Sequence, residues 1–139
     1  RNQKVCHALR IECLNPLWLS PPLAHWHELL AKKFEIMLVR VAANGLDKNW
    51  LGRIITENNL HSLAALSHAP YWVHPAGEGG EFESLVLDAP LFEKKIHVEK
   101  FSDEWSGLQG TRHILKASLA PKKHSSLSQS KRSPQRGKK

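Results

Sequence analysis

Cysteine is scarce: Cys6 and Cys13 are the only two among 139 residues. Two thiols cannot build a disulfide framework, and they lack the paired spacing of a zinc site, so a reduced, cytoplasmic setting is expected. No apolar run approaches the roughly 20 residues needed to cross a bilayer, and the start carries no signal-peptide pattern, so no membrane partner is expected. Acidic residues are missing altogether from positions 121–139, where seven of the 20 Lys and Arg lie: Lys122, Lys123, Lys131, Arg132, Arg136, Lys138 and Lys139. The other 13 are balanced by 13 Asp and Glu, so the net charge of +7 belongs to the tail. The chain starts at Arg1 without Met and is helical in pattern from its first residues. A piece of a longer protein, with its N-terminal part absent, is therefore expected.

The most informative stretch runs from Pro75 to Phe92. Gly77, Gly79 and Gly80 allow unusual backbone conformations and close approach of other groups. Glu78, Glu81, Glu83 and Asp88 crowd negative charge into the same short stretch, ahead of an apolar run that reads as a strand. A plain surface turn needs neither so many acids nor so many glycines, which makes this the candidate site.

Along the chain, residues 1–9 suit the end of a helix, and Ile11 to Leu14 a short strand. Ser20-Pro21-Pro22 starts a helix whose apolar face is Leu23, Trp26, Leu29, Leu30 and Phe34. Ile36 to Val41 is nearly continuous in apolar character, as in a parallel strand covered on both faces. Strand, helix and strand within about 30 residues predict a βαβ unit with a right-handed crossover. In such sheets ligands gather beyond the carboxyl ends of the strands, which puts Asn15 to Trp18 and Ala43 to Asp47, including Asn44 and Gly45, on the functional rim. Asp47 caps a helix through Ile55, Asn58-Asn59 interrupts it, and Leu60, Leu63 and Leu66 continue as a second helix. Phe82 to Asp88, Lys94 to Phe101 and Arg112 to Leu119 read as strands. The expected organisation is an α/β part over 1–74, a glycine-acid motif with a β-rich lobe over 75–120, and a disordered basic tail over 121–139.

Phosphate cradles follow a strand, open a helix and offer backbone N–H groups. Here the glycines precede a strand and bring acids, so the loop alone repels bare phosphate. A cation between the carboxylates fits better: Mg²⁺, ammonium or an amine, or a basic side chain of a partner. A tight turn with solvated glutamates is the alternative. His74, at the mouth of the loop, either polarises a bound group or serves as a hydrogen-bonded structural residue. His25 and His27 stand two apart on a helix and cannot easily share a tetrahedral ion, so no metal ligands are assigned. Trp18 and Trp72 are candidates for lining a pocket; Trp26, Trp50 and Trp105 read as packing residues, and Cys6 as buried and inert. The tail can touch RNA or a ribosome through phosphate attraction, or simply solubilise the chain.

The run Gly77-Glu78-Gly79-Gly80-Glu81-Phe82-Glu83-Ser84, continuing through Leu87-Asp88-Ala89-Pro90-Leu91-Phe92 to Lys94-Lys95-Ile96, closely resembles the signature of the diphthine–ammonia ligase family. That family lies in the N-type ATP pyrophosphatase superfamily. Val39 to Asp47, Leu51-Gly52-Arg53, Val5-Cys6 and Pro16-Leu17-Trp18 are similar to it in the same order. The resemblance implies the C-terminal part of a Rossmann-like (HUP-type) parallel sheet followed by a small β-rich lobe. It implies ATP and Mg²⁺ as cofactors, and ammonium and translation elongation factor 2 bearing diphthine as substrate and partner, with no specific nucleic acid. The reaction implied is adenylation of the diphthine carboxylate, followed by displacement of AMP by ammonia. Glu78, Glu81 and Glu83 then become the catalytic candidates, and Gly77, Gly79, Gly80, Ser84, Asp88, His74, Asn44, Gly45 and Trp18 the substrate-binding ones. The family's Ser-Gly-Gly-x-Asp-Ser nucleotide loop does not occur in these residues, so the chain alone is expected to be inactive. A non-catalytic binding module for a basic protein or ribosomal partner is the alternative.

Overall fold

The computed structural model describes residues 2–122. Its elements are α1 (Asn2–Leu9), α2 (Pro22–Ala31), β1 (Glu35–Val41), a short 3₁₀ turn (Lys48–Trp50), α3 (Glu57–Ala65), β2 (Phe82–Asp88), β3 (Lys94–Ser106) and β4 (Gln109–Pro121).

The four strands form one sheet in the order β2-β1-β4-β3, and every pairing between them is antiparallel. This corrects the expected parallel, Rossmann-like sheet. Residues 11–15 are not a strand, so the first arm of the βαβ unit is missing. The apolar run of β1 has another cause, its central position. Ile36, Met37, Leu38 and Val41 are buried. One edge of the strand pairs with β2, while the other takes β4 at Arg40 and Val41 and the segment Gly52–Ile55 further along. A strand hydrogen-bonded along both edges and covered by side chains needs the composition that a parallel strand also shows.

Helix α2 begins with Pro22 in its first turn after the extended Pro21, where proline's missing N–H costs nothing. Ser20 therefore precedes the cap. The helix ends when Lys33 turns left-handed at φ 64°, with Lys33 N–H donating to Leu30 and Phe34 N–H to Leu29 in a Schellman pattern. In α3 the side chain of Asn59 accepts from Thr56 N–H at 2.9 Å and donates to the Ile54 carbonyl at 2.8 Å. Asn59 thus starts this helix, whereas its type suggested an interruption. Asp47 caps only the short 3₁₀ turn, accepting from Asn49 N–H.

Trp26, Leu60, Leu63, Val73 and Phe82 close over Ile36, Leu38 and Val41 to form the core. Helix α1 contributes no buried residue, and Cys6 is half-exposed, which corrects its reading as a buried thiol. The hairpin β3–β4 is longer than expected, with its turn at Gly107 and Leu108 and Gly110 already inside β4. Pro121 belongs to β4, opposite Lys94, so the tail starts later than position 121. The disorder expected of the rest falls on residues outside those described.

Arg112 braces this hairpin across its two strands and lies against Gly52 outside it. Its guanidinium makes two bonds to Asp103, at 2.8 and 2.7 Å, and lies 3.7 Å from the centre of the Phe101 ring. It also covers Gly52, where a Cβ would stand 1.7 Å from its Nη1. The Arg112 hydrogen bonds hold the Asp103 carboxyl below its ordinary value. Removing one partner of such a largely buried pair strands the other charge. Arg112→Leu is expected to lower unfolding stability by about 2 kcal/mol or more, read by urea denaturation. An unchanged midpoint would mean that the guanidinium is not a tie.

Candidate functional site: a glycine loop closed by its own carboxylate

The loop His74–Glu81 leaves the core at Val73, which is 1% exposed, and re-enters it at Phe82. Two successive tight turns build it: Gly77 N–H donates to the His74 carbonyl at 2.9 Å, and Gly80 N–H to the Gly77 carbonyl at 3.0 Å. Gly77 has φ 70° and the Phe82 ring lies against it, so that a Cβ there would come within 2.9 Å of the ring. Only glycine meets both conditions without strain. Two contacts clamp the loop from outside. The indole Nε1–H of buried Trp26 donates to the Pro75 carbonyl at 2.7 Å, and Ala42 N–H, just beyond β1, donates to the Glu81 carbonyl at 2.7 Å.

The three glutamates differ in what they can still do. Glu81 faces inward: its Oε1 accepts from His74 N–H at 3.0 Å and its Oε2 from Gly79 N–H at 2.8 Å. Partial burial works to raise its pKa, but the backbone N–H groups of His74, Glu81 itself and Gly79 outweigh that and hold the carboxyl below its ordinary 4.5. Glu83 is exposed on β2 and accepts from Arg40 at 2.9 Å. Glu78 is exposed, its Oε2 3.7 Å from His74 Nε2. His74 Nδ1 is placed to accept from the N–H groups of Ala76 and Glu78, at 3.3 and 3.4 Å. An accepting Nδ1 leaves the proton on Nε2, directed toward Glu78. His74 and Glu78 are thus the pair open to a ligand, on a frame that Glu81 holds.

The other sequence candidates divide. Ser84 lies next along β2, exposed and opposite Leu38. Asn44 and Gly45 follow Ala42 in the turn beyond β1, Asn44 exposed and Gly45 against the Tyr71 ring. Asp88 is elsewhere: it ends β2, about 20 Å from the loop at some 3.3 Å per residue. There it lies 2.7 Å from Lys122 Nζ, which gives its hydrogen bond to the Ala89 carbonyl at 2.5 Å. Trp18, 77% exposed, borders an open cavity of about 550 Å³ with Asn2, Gln3, Cys13 and Asn15, and no residue of the loop lines it. Trp72 is 71% exposed. Sequence reasoning missed Arg40 as the partner of Glu83 and Trp26 as the clamp on Pro75. The indole N–H was the available signal, since a buried one needs an acceptor.

Among the described residues no three His, Cys, Asp or Glu side chains gather as metal ligands. The N–H groups of Gly77, Gly79 and Gly80 are engaged within the loop. The arrangement offers carboxylates and an imidazole rather than phosphate donors. It sets exposed negative charge beside an imidazole at the edge of an antiparallel α/β sheet.

The chain belongs to the family described as the diphthamide synthase C-terminal domain, which matches residues 22–120 and so contains the whole loop. A zebrafish (Danio rerio) protein named diphthine–ammonia ligase is 41% identical over 101 residues, covering 71% of this chain and 38% of the relative. The human (Homo sapiens) protein of that name is 38% identical over 100 residues, covering 71% and 37%. The Schizosaccharomyces pombe one is 34% identical over 96 residues, covering 69% and 16%. The chain therefore spans well under half the length of these relatives.

Replacing Glu81 with Gln leaves one oxygen to accept and puts an NH₂ against a backbone donor. Glu81→Gln is expected to destabilise the loop by about 1–3 kcal/mol, read as faster amide exchange at Gly79 and His74. Because the folded-state pKa is depressed, the wild-type carboxylate contributes its full stabilisation above the unfolded value of 4.5 and loses it as pH falls through the lower folded value. The Gln variant should lack that acid-side loss; the same pH profile in both chains would show that Glu81 does not hold the loop. Trp26→Phe, which keeps an aromatic ring but deletes the N–H and the five-membered ring, should cost about 1–3 kcal/mol and raise exchange at Gly77, whereas Leu30→Val, off the loop, should leave that exchange unchanged.

Proposed function

We propose that this chain is the substrate-receiving part of an ATP-dependent diphthine–ammonia ligase, which amidates diphthine on translation elongation factor 2 to diphthamide. The observation that carries the reading is the loop itself: family membership includes it, and its geometry leaves Glu78 and His74 facing outward on a frame tied by Glu81. In this reading Glu78 binds ammonium or the cationic part of diphthine, and His74 Nε2–H orients the glutamate. Arg40 keeps Glu83 in place, so that Glu83 acts on the same ligand only when that pair opens. Asn44 and Ser84 border the cleft.

ATP and Mg²⁺ belong to the proposal for the whole protein. The donors of this chain do not fit them, because the loop amides are engaged and no metal-ligand cluster stands among the described residues. We assign the phosphate grip, the Rossmann-like sheet and the adenylation step to sequence that the relatives have outside the matched region, and the ammonia-accepting step to the loop described here. Both thiols are free, which agrees with the cytoplasmic setting in which a translation factor would be modified.

The test is release of AMP and formation of amide by the complete protein with diphthine-bearing elongation factor 2, ATP and ammonium. Glu78→Gln is expected to lower kcat/KM by about 100-fold while urea unfolding stays unchanged, as for loss of one positioned charged group. Activity within about threefold of wild type would remove Glu78 from the site. Absence of AMP release in the folded complete wild-type protein would overturn the ligase reading.

A further inference from the structure

The end of the sheet opposite the acidic loop carries a different chemistry. Antiparallel pairing brings the start of β1 beside the end of β2, with Glu35 opposite Asp88, and the start of β3 beside the end of β4, with Lys94 opposite Pro121. The two pairs meet where Lys95 Nζ stands 3.5 Å from Glu35 and Lys122 Nζ 2.7 Å from Asp88. The end of α2 adds Lys32 and Lys33. Between them lies a cavity of about 480 Å³ lined by Lys32, Lys33, Lys95 and Lys122, against the two carboxylates Glu35 and Asp88.

We propose that this basic end is a docking surface for the phosphodiester backbone of a nucleic-acid duplex, read without regard to sequence. Four ammonium groups oppose two carboxylates in the lining, and Lys33 and Lys94 have no ion-pair partner among the described residues. The pairs Lys32–Glu28 and Lys95–Glu35 are solvent-exposed and are held too weakly to resist a phosphate. The carbonyls at the end of α2, which would otherwise repel an anion, are covered by the N–H groups of Lys32, Lys33 and Phe34. Among the described residues the apolar lining is Ala89, Pro90 and Pro121, with no aromatic ring to stack a base and no guanidinium to fork onto a guanine, so the surface suits backbone phosphates. Lys122 is also the first of the seven cations in residues 121–139, so six further cations follow it in the sequence. The acids of the candidate loop, with Asp103 and Glu104, lie toward the other end, where Val41 pairs with Phe82 and Gly110. The duplex and the ligand of the loop would therefore not compete for the same place.

The test is fluorescence anisotropy of the full chain with 20-base-pair RNA and DNA duplexes over about 50 to 200 mM salt, the window in which counterion release is resolved. Binding of both duplexes with similar affinity is expected. The triple variant Lys32→Ala, Lys33→Ala, Lys95→Gln should flatten the slope of log K against log salt by about 2.7, three phosphates at about 0.9 each. That corresponds to roughly a 40-fold difference in salt response across the same window. Lys48→Gln, near Asp103 at the far end, should change affinity by less than about twofold. Circular dichroism of each variant controls for folding. Four outcomes would overturn the proposal: no duplex binding at about 50 mM salt; an unchanged slope in the triple variant, which would leave the tail acting alone; an equal loss from Lys48→Gln; or displacement of the duplex by polyglutamate at equal charge, which would point to an acidic protein.

Discussion

The fold depends on one strand having no free edge. β1 takes β2 on one side, and β4 together with the Gly52–Ile55 segment on the other, while its side chains pack under Trp26, Leu60 and Leu63. A buried strand must satisfy every N–H and C=O, so these two partners are obligatory. Once they are in place, the candidate loop has to end where β2 starts, beside the end of β1. The bond from Ala42 to the Glu81 carbonyl is the last rung of this arrangement.

Glu81 shows how a charged residue can belong to the architecture of a site without facing its ligand. A carboxylate that accepts from N–H groups at both arms of a loop acts as a cross-brace, and charge makes those bonds stronger than neutral ones. The glycines serve the same end. Gly77 lets the Phe82 ring approach, and a Cβ at Gly79 would meet the Glu81 carboxylate itself at 2.7 Å. The loop is thus cross-braced at its base and charged at its tip.

The candidate loop stood out in the sequence, because acids and glycines so densely mixed have few structural explanations. The roles of Glu78, Glu81 and Glu83 were not, since which carboxylate turns inward depends on contacts with His74 and Gly79 that no periodicity encodes. The strands β2, β3 and β4 were legible from alternation and β-branched content, and α2 from its proline start. The sheet's direction was misread because Ile36–Val41 has the composition of any strand buried on both faces, parallel or antiparallel. Asp88 was grouped with the loop by sequence distance, whereas an extended strand carries it to the far end of the sheet. Asn59 was read through its breaker chemistry, although the same side chain three residues after Thr56 is a capping signal.

The β1–β2 ladder has two irregularities, one between Glu35 and Ile36 and one between Leu38 and Arg40. The first places an extra residue, Leu87, on β2; the second places an extra residue, Val39, on β1. They cancel, so Glu35 opposite Asp88 and Val41 opposite Phe82 share one frame while the rungs between them are offset by one. The strand pair works as a mechanical coupling with slack confined to its middle. The shift of the central rungs is contained between the two bulges, and the acidic loop and the lysine-lined end share one register.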